Sequence, residues 1–162
     1  LRKKKLSGDK ISFIDLIKND IPRYAKNCQN KDVLFVLATA VLVNKKVLKK
    51  AYDVFRKKKP EILISCEQAQ HPPWWAMRLK KSGFLEPIFK DKVSINSQYL
   101  EQTFFDSGMF YYFNLDSLKK YESHKLAKKV LPFLLDFENR ADLNNSDDLK
   151  LLKIKYSRFY ND

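Results

Sequence analysis

Residues 33–37 (Val-Leu-Phe-Val-Leu) and 61–66 (Glu-Ile-Leu-Ile-Ser-Cys) are short and apolar, and a segment of helical period lies between them. In that segment Val47, Leu48, Ala51, Tyr52 and Phe55 fall on one side and lysines on the other. Asn44 stands at its start as a cap and Pro60 ends it. A continuous β-branched run suits a strand covered on both faces. Strand, helix, strand at this spacing predicts a crossover, and hence a mainly parallel α/β sheet of Rossmann-like type with helices on its faces.

The remaining elements extend the same alternation. Ile11, Ile14, Ile17, Ile21 and Tyr24 recur near helical spacing over residues 11–26, with Pro22 bending or ending the first part. After Cys66 the rhythm breaks. His71-Pro-Pro-Trp-Trp75 must be extended or turned, and residues 76–92 make a small excursion that turns at Ser82-Gly83. Residues 110–113 return to the sheet and residues 131–137 form a last strand. Ser146 is expected to cap a final helix whose inner stripe is Leu149, Leu152, Tyr156 and Phe159, with Asp147 and Asp148 near its positive end. About four strands are identifiable in a single domain of 162 residues.

Composition narrows the function classes. No apolar run is long enough to span a membrane, and the basic start at residues 1–5 is not followed by the apolar segment of a signal peptide. A cytoplasmic protein with Cys28 and Cys66 as free thiols is expected. The formal charge of +13 admits a nucleic acid, an anionic membrane or a phosphorylated substrate as partner. Only six of the 32 basic residues are arginine, the side chain that base and phosphate readers favour. A lysine-rich solvated surface is therefore preferred over a dedicated anion surface, and nucleic acid is the disfavoured partner.

Several residues are candidates for chemistry. Asp142 and Asn144 precede the last helix, where two oxygen ligands could hold Mg²⁺ against a triphosphate; Asp and Asn also crowd such turns for local backbone reasons. Glu67 and Gln68 follow the second strand. His71 and His124 lack a supporting motif, and packing or surface exposure is the plainer reading. Trp74 and Trp75 could stack on a base or sugar, with core or dimer packing the alternative.

Residues 97–113 read Ser-Gln-Tyr-Leu-Glu-Gln-Thr-Phe-Phe-Asp-Ser-Gly-Met-Phe-Tyr-Tyr-Phe. This segment resembles the Ser-Gln-Asp-Leu-x-x-x-Tyr-x-Asp-x-Gly-x-Phe-Tyr pattern of the sialic-acid-type cytidylyltransferases, most closely their pseudaminic acid branch. The similarity continues elsewhere. Asp142-Leu-Asn144 and Asn145-Ser-Asp-Asp148 stand where the family has Asp-x-Asp and Thr-Pro-Glu-Asp. Residues 37–42 resemble its Ala-Thr-Ala-Pro-Phe strand end, and residues 1–9 its Arg-Pro-x-x-Leu-Ser-x-Asp.

The resemblance implies a nucleotidyltransferase-type fold with a dimerisation segment at about residues 68–105. It implies CTP and an acidic nine-carbon sugar as substrates, a homodimer, and Mg²⁺ as cofactor. Residue by residue, Arg2 and Thr39 would contact the nucleotide, Gln98, Asp106, Phe110 and Glu67 the sugar, and Asp142 and Asn144 the metal. Three departures stand against activity. The second metal carboxylate is the amide of Asn144, and Asn96 replaces an arginine suited to the sugar's carboxylate. The glycine-rich basic loop that cradles CTP is not among these residues, since glycines 8, 83 and 108 cannot form one. The family's first strands are thus expected to be missing. Three readings follow: a cytidylyltransferase inactive as the isolated chain, a non-catalytic homologue serving binding or assembly, and a basic nucleic-acid binder.

Overall fold

The structure, a computed structural model, describes residues 3–8, 10–141, 143 and 145–160. Its elements in chain order are α1 (Phe13–Asn19), α2 (Ile21–Tyr24), β1 (Asp32–Val36), α3 (Lys45–Lys58), β2 (Ile62–Gln68), β3 (Met77–Leu79) and β4 (Leu85–Pro87). β5 (Phe104–Asn114), α4 (Leu115–Leu118), β6 (Val130–Leu134) and α5 (Ser146–Tyr160) complete them. The Asn44 side chain accepts the Val47 N–H and caps α3 as expected. At α5 the cap lies one residue earlier than the sequence indicates. Asn145 Oδ1 accepts the N–H groups of Asp147 and Asp148, and Asp148 accepts the N–H of Asn145 in return.

The main sheet has the order β1-β5-β2-β6. β5 is antiparallel to both β1 and β2, whereas β2 and β6 are parallel. Hence β1, β2 and β6 share one direction and β5 alone runs against them. The expectation of a mainly parallel sheet holds for strand direction and fails for pairing, because β5 fills the gap between the two strands of the crossover. The sheet is mixed, and two of its three ladders are antiparallel.

The aromatic run after Gly108 is explained by this central place. Successive strand residues point to opposite faces. Phe110 and Tyr112 pack with Ala51 and Phe55 of α3 and Leu152 of α5. Tyr111 and Phe113 pack on the other side with Ile14 and Ile17 of α1 and Leu115 and Leu118 of α4. Helices thus cover both faces of the sheet. β1 departs from the expectation of a strand buried on both faces. It is an edge strand hydrogen-bonded only to β5 among the described strands, with Leu34 and Val36 exposed. The predicted inner stripe of α5 is also only partly buried, since Leu149 and Tyr156 are exposed. β6 stops at Leu134, and Phe137 enters a 3-10 turn.

Glu61 fastens the return to β6. Its carboxylate accepts from Lys120 Nζ at 2.8 Å, Tyr121 Oη at 2.9 Å and the Lys128 and Lys129 N–H groups at 2.9 and 3.2 Å. The bond from Lys120, with those from Tyr121 and the backbone, outweighs burial and holds the Glu61 carboxyl down to about 2.

Candidate functional site

In an open α/β sheet, ligands gather beyond the carboxyl ends of the parallel strands. A cavity of about 280 Å³ lies there, where β2 and β6 end and β5 begins. Glu67, Asp106, Ser107, Arg140 and Lys155 line it together with Gln70. A second cavity of about 260 Å³ adjoins it through Gln70, with Ser97, Glu101 and Thr103 in its wall. The two hollows therefore join the Ser-Gln turn to the junction between β6 and α5.

A bulge shapes the floor. The register of β2 against β5 shifts between Ile64 and Cys66, and Gly108 takes φ of 65°. No atom lies within 4 Å of where its Cβ would stand, so the backbone angle alone favours glycine here. A bulge leaves ladder groups without partners, and Ser65 supplies the missing acceptor. Its fully buried Oγ accepts the N–H groups of Met109 and Phe110 at 3.2 and 3.0 Å, and Ser107 Oγ lies 2.9 Å from it.

Asp106 is held on the same bulge. Its carboxylate accepts the Gly108 N–H at 3.0 Å and the Tyr111 hydroxyl at 3.1 Å, and Lys125 Nζ lies at 3.2 Å. His124 Nε2 faces it at 3.6 Å, too long for a hydrogen bond, with the imidazole edge-on to Phe13 and Tyr111. Burial would raise the Asp106 carboxyl, but His124, the Gly108 N–H and Lys125 together hold it down to about 2. Burial first, and Asp106 second, push the Tyr111 phenol up and the Cys66 thiol up to about 11. Cys66 is thus a neutral packing group.

Across the cavity, Arg140 Nε donates to the Leu135 carbonyl at 2.9 Å, and Arg140 Nη1 stands 3.8 Å from Glu67. Lys155 donates to the carbonyls of Phe137 and Arg140 at 3.2 and 3.1 Å and lies 3.9 Å from the Phe137 ring. Burial, then the nearby Arg140 charge, lower the Lys155 pKa.

Of the residues named from the sequence, Glu67 and Asp106 come together in this cavity. Gln98 is exposed in the 3-10 turn Ser97–Tyr99, whose Ser97 lines the adjoining hollow. Phe110 reaches no surface: it is fully buried against Tyr112 and Phe133. Thr39 is half-buried in the turn after β1, at the same end of the sheet but outside the cavity lining. Arg2, Asp142 and Asn144 lie outside the described residues. Among the described residues no three His, Cys, Asp or Glu side chains converge on a metal position.

His71 is exposed. Trp74 packs edge-on against Phe89, with Lys92 Nζ 4.0 Å from its ring, and Trp75 Nε1 donates to the Ile95 carbonyl, so both serve the excursion's own structure. Reading the sequence missed Gln70, Lys125, Arg140 and Lys155; His124, read there as a packing or surface histidine, packs against Phe13 and Tyr111 beside Asp106. For Arg140 a signal existed: it is one of only six arginines and stands two residues before Asp142.

A mixed sheet covered by helices, with a charged cleft at its strand ends, fits a nucleotidyltransferase-type α/β protein. No family model matches the chain. It is similar to the pseudaminic acid cytidylyltransferases of Campylobacter jejuni subsp. jejuni serotypes O:2 and O:23/36. Each is 27% identical over 157 residues, which cover 96% of this chain and 67% of the relative. The chain is thus a distant homologue of these enzymes, matched over about two thirds of their length. Among its described residues no helix is long and apolar enough to cross a membrane.

Proposed function

We propose that this chain is a cytidylyltransferase-type protein whose cleft takes an acidic nine-carbon sugar. The single observation that supports this reading is the similarity to pseudaminic acid cytidylyltransferases along 96% of the chain. In the reaction proposed, a sugar hydroxyl oxygen attacks the α-phosphorus of CTP, the bond to the bridging oxygen breaks, and pyrophosphate leaves. Asp142 would hold Mg²⁺ with Asn144 as a neutral oxygen donor, and the ion would neutralise phosphate charge. Arg2 and Thr39 would face the nucleotide, and Gln98 with the Ser97 turn the sugar. The 162 residues contain no glycine-rich phosphate cradle, so this chain by itself is expected to form no CMP-sugar. Incubation with CTP, Mg²⁺ and an acidic nonulosonate, read by pyrophosphate release, tests that; turnover above background would sink it.

The proposal includes a homodimer formed through the β3–β4 hairpin. Met77, Leu79, Phe84, Leu85 and Ile88 cluster there, and Leu79 and Phe84 are 72% and 71% exposed. Exposed apolar side chains gathered on one hairpin mark an interaction surface. Leu79→Asp with Phe84→Asp is expected to turn a dimer into a monomer by light scattering and to make the unfolding midpoint independent of protein concentration. A monomeric wild type at high concentration would count against it.

The open edge of β1 favours a second reading, a non-catalytic assembly module that pairs its edge strand with another chain. An assembly that survives the hairpin charges and is broken by Val36→Lys would select it.

A further inference from the structure

We infer that Arg140 is the carboxylate-binding residue of the cleft, taking the role that an arginine at position 96 would otherwise fill. The inference rests on the proposed sugar-acid reading and names the group that reads the acid.

Arg140 is held at two points. Its Nε is tied to the Leu135 carbonyl and its own carbonyl is tied to Lys155 Nζ, so the outer edge of the guanidinium projects from a fixed base. A planar fork fixed in this way loses little freedom on binding a carboxylate. Its only carboxylate neighbour among the described residues, Glu67, stands at 3.8 Å and is 43% exposed. Charge-assisted bonds run at about 2.7–2.9 Å, so that pair is loose and the fork retains donors for a ligand.

The charges favour a monoanion. Arg140 and Lys155 bring two positive charges to the cavity wall. Glu67 offsets one, while the charge of Asp106 is spent on Lys125, Tyr111, His124 and the bulge. Among the described residues one net positive charge is left, which a single carboxylate balances. Position agrees, because Gln70 joins this cavity to the one walled by Ser97. At the other end of that path Asn96 offers no cation.

The test is binding of N-acetylneuraminate and of its methyl ester to the full chain, by calorimetry or ligand-observed NMR. Wild type is expected to bind the acid at least about tenfold more tightly than the ester. Arg140→Gln should erase that gap, chiefly by weakening binding of the acid. Arg140→Lys, which keeps the charge and loses the fork, should narrow it, and it serves if the glutamine variant fails to fold. Equal binding of acid and ester by wild type overturns the inference while sparing the sugar-site reading, as does a gap that survives both substitutions. Failure to bind either sugar removes the reading itself and the inference with it. Displacement of the acid by inorganic pyrophosphate in wild type but not in Arg140→Gln, with acid and ester bound alike, would give the arginine to a phosphate instead.

Discussion

Replacing Phe110 with alanine is expected to cost about 3–5 kcal/mol of stability, a large share of the about 5–15 kcal/mol that holds a domain together. The side chain is fully buried between Tyr112 and Phe133, on the central strand that carries the most ring contacts. Its loss leaves a cavity beneath both α3 and α5. The family resemblance instead implies a sugar contact at this residue. The two roles separate cleanly. A packing residue lowers the denaturant midpoint with little change in slope, and Phe110→Leu should recover most of the loss. A sugar contact would weaken ligand binding while leaving the stability within about 0.5 kcal/mol of wild type, and that result would return Phe110 to the site.

Phe110 also marks how far the sequence could be read. The crossover from β1 through α3 to β2 was legible because its signals are local. An amphipathic period, an Asn cap and two β-branched runs each follow from neighbours in the chain. Strand order is not local. Nothing in residues 104–114 says that this strand inserts between β1 and β2 and reverses the pairing, since that depends on partners 36 to 82 residues away. The same long range hides Ser65, which reads as an ordinary strand residue. It becomes essential only because a bulge more than 40 positions later presents N–H groups to it.

The cleft was half legible for the same reason. Glu67 stood out as an acidic residue after a strand, and Asp106 only through the family resemblance. The cations opposite them did not, because Lys155 looks like any other lysine of a basic chain until α5 folds its Nζ back onto Phe137 and Arg140. His124 had no motif, and it reaches Asp106 through the loop between α4 and β6. Sequence shows which groups a chain has, and the sheet decides which of them meet.

Asp106→Ala is expected to be nearly as damaging as the core substitution, at about 2–4 kcal/mol, because it leaves the part-buried Tyr111 hydroxyl and Gly108 N–H facing no acceptor and removes the ion pair with the exposed Lys125. The Asp106→Asn variant is more informative, since the amide keeps an oxygen for Gly108 while losing the charge and the acceptor that faces Lys125. The folded carboxyl titrates at about 2 and its ordinary value is 3.8. A folded value below the unfolded one means that the charged form is the one folding favours. Its contribution, about 2 kcal/mol, is complete above pH 4 and is lost as the pH falls toward 2. Urea titrations of wild type and Asp106→Asn should therefore differ by a constant amount at neutral pH and converge between pH 4 and 2. Glu61, also held to about 2, titrates in both proteins and cancels from the difference. A gap that persists undiminished to pH 2 would mean that Asp106 holds the bulge by hydrogen bonding alone, and that its ion pair with Lys125 adds nothing.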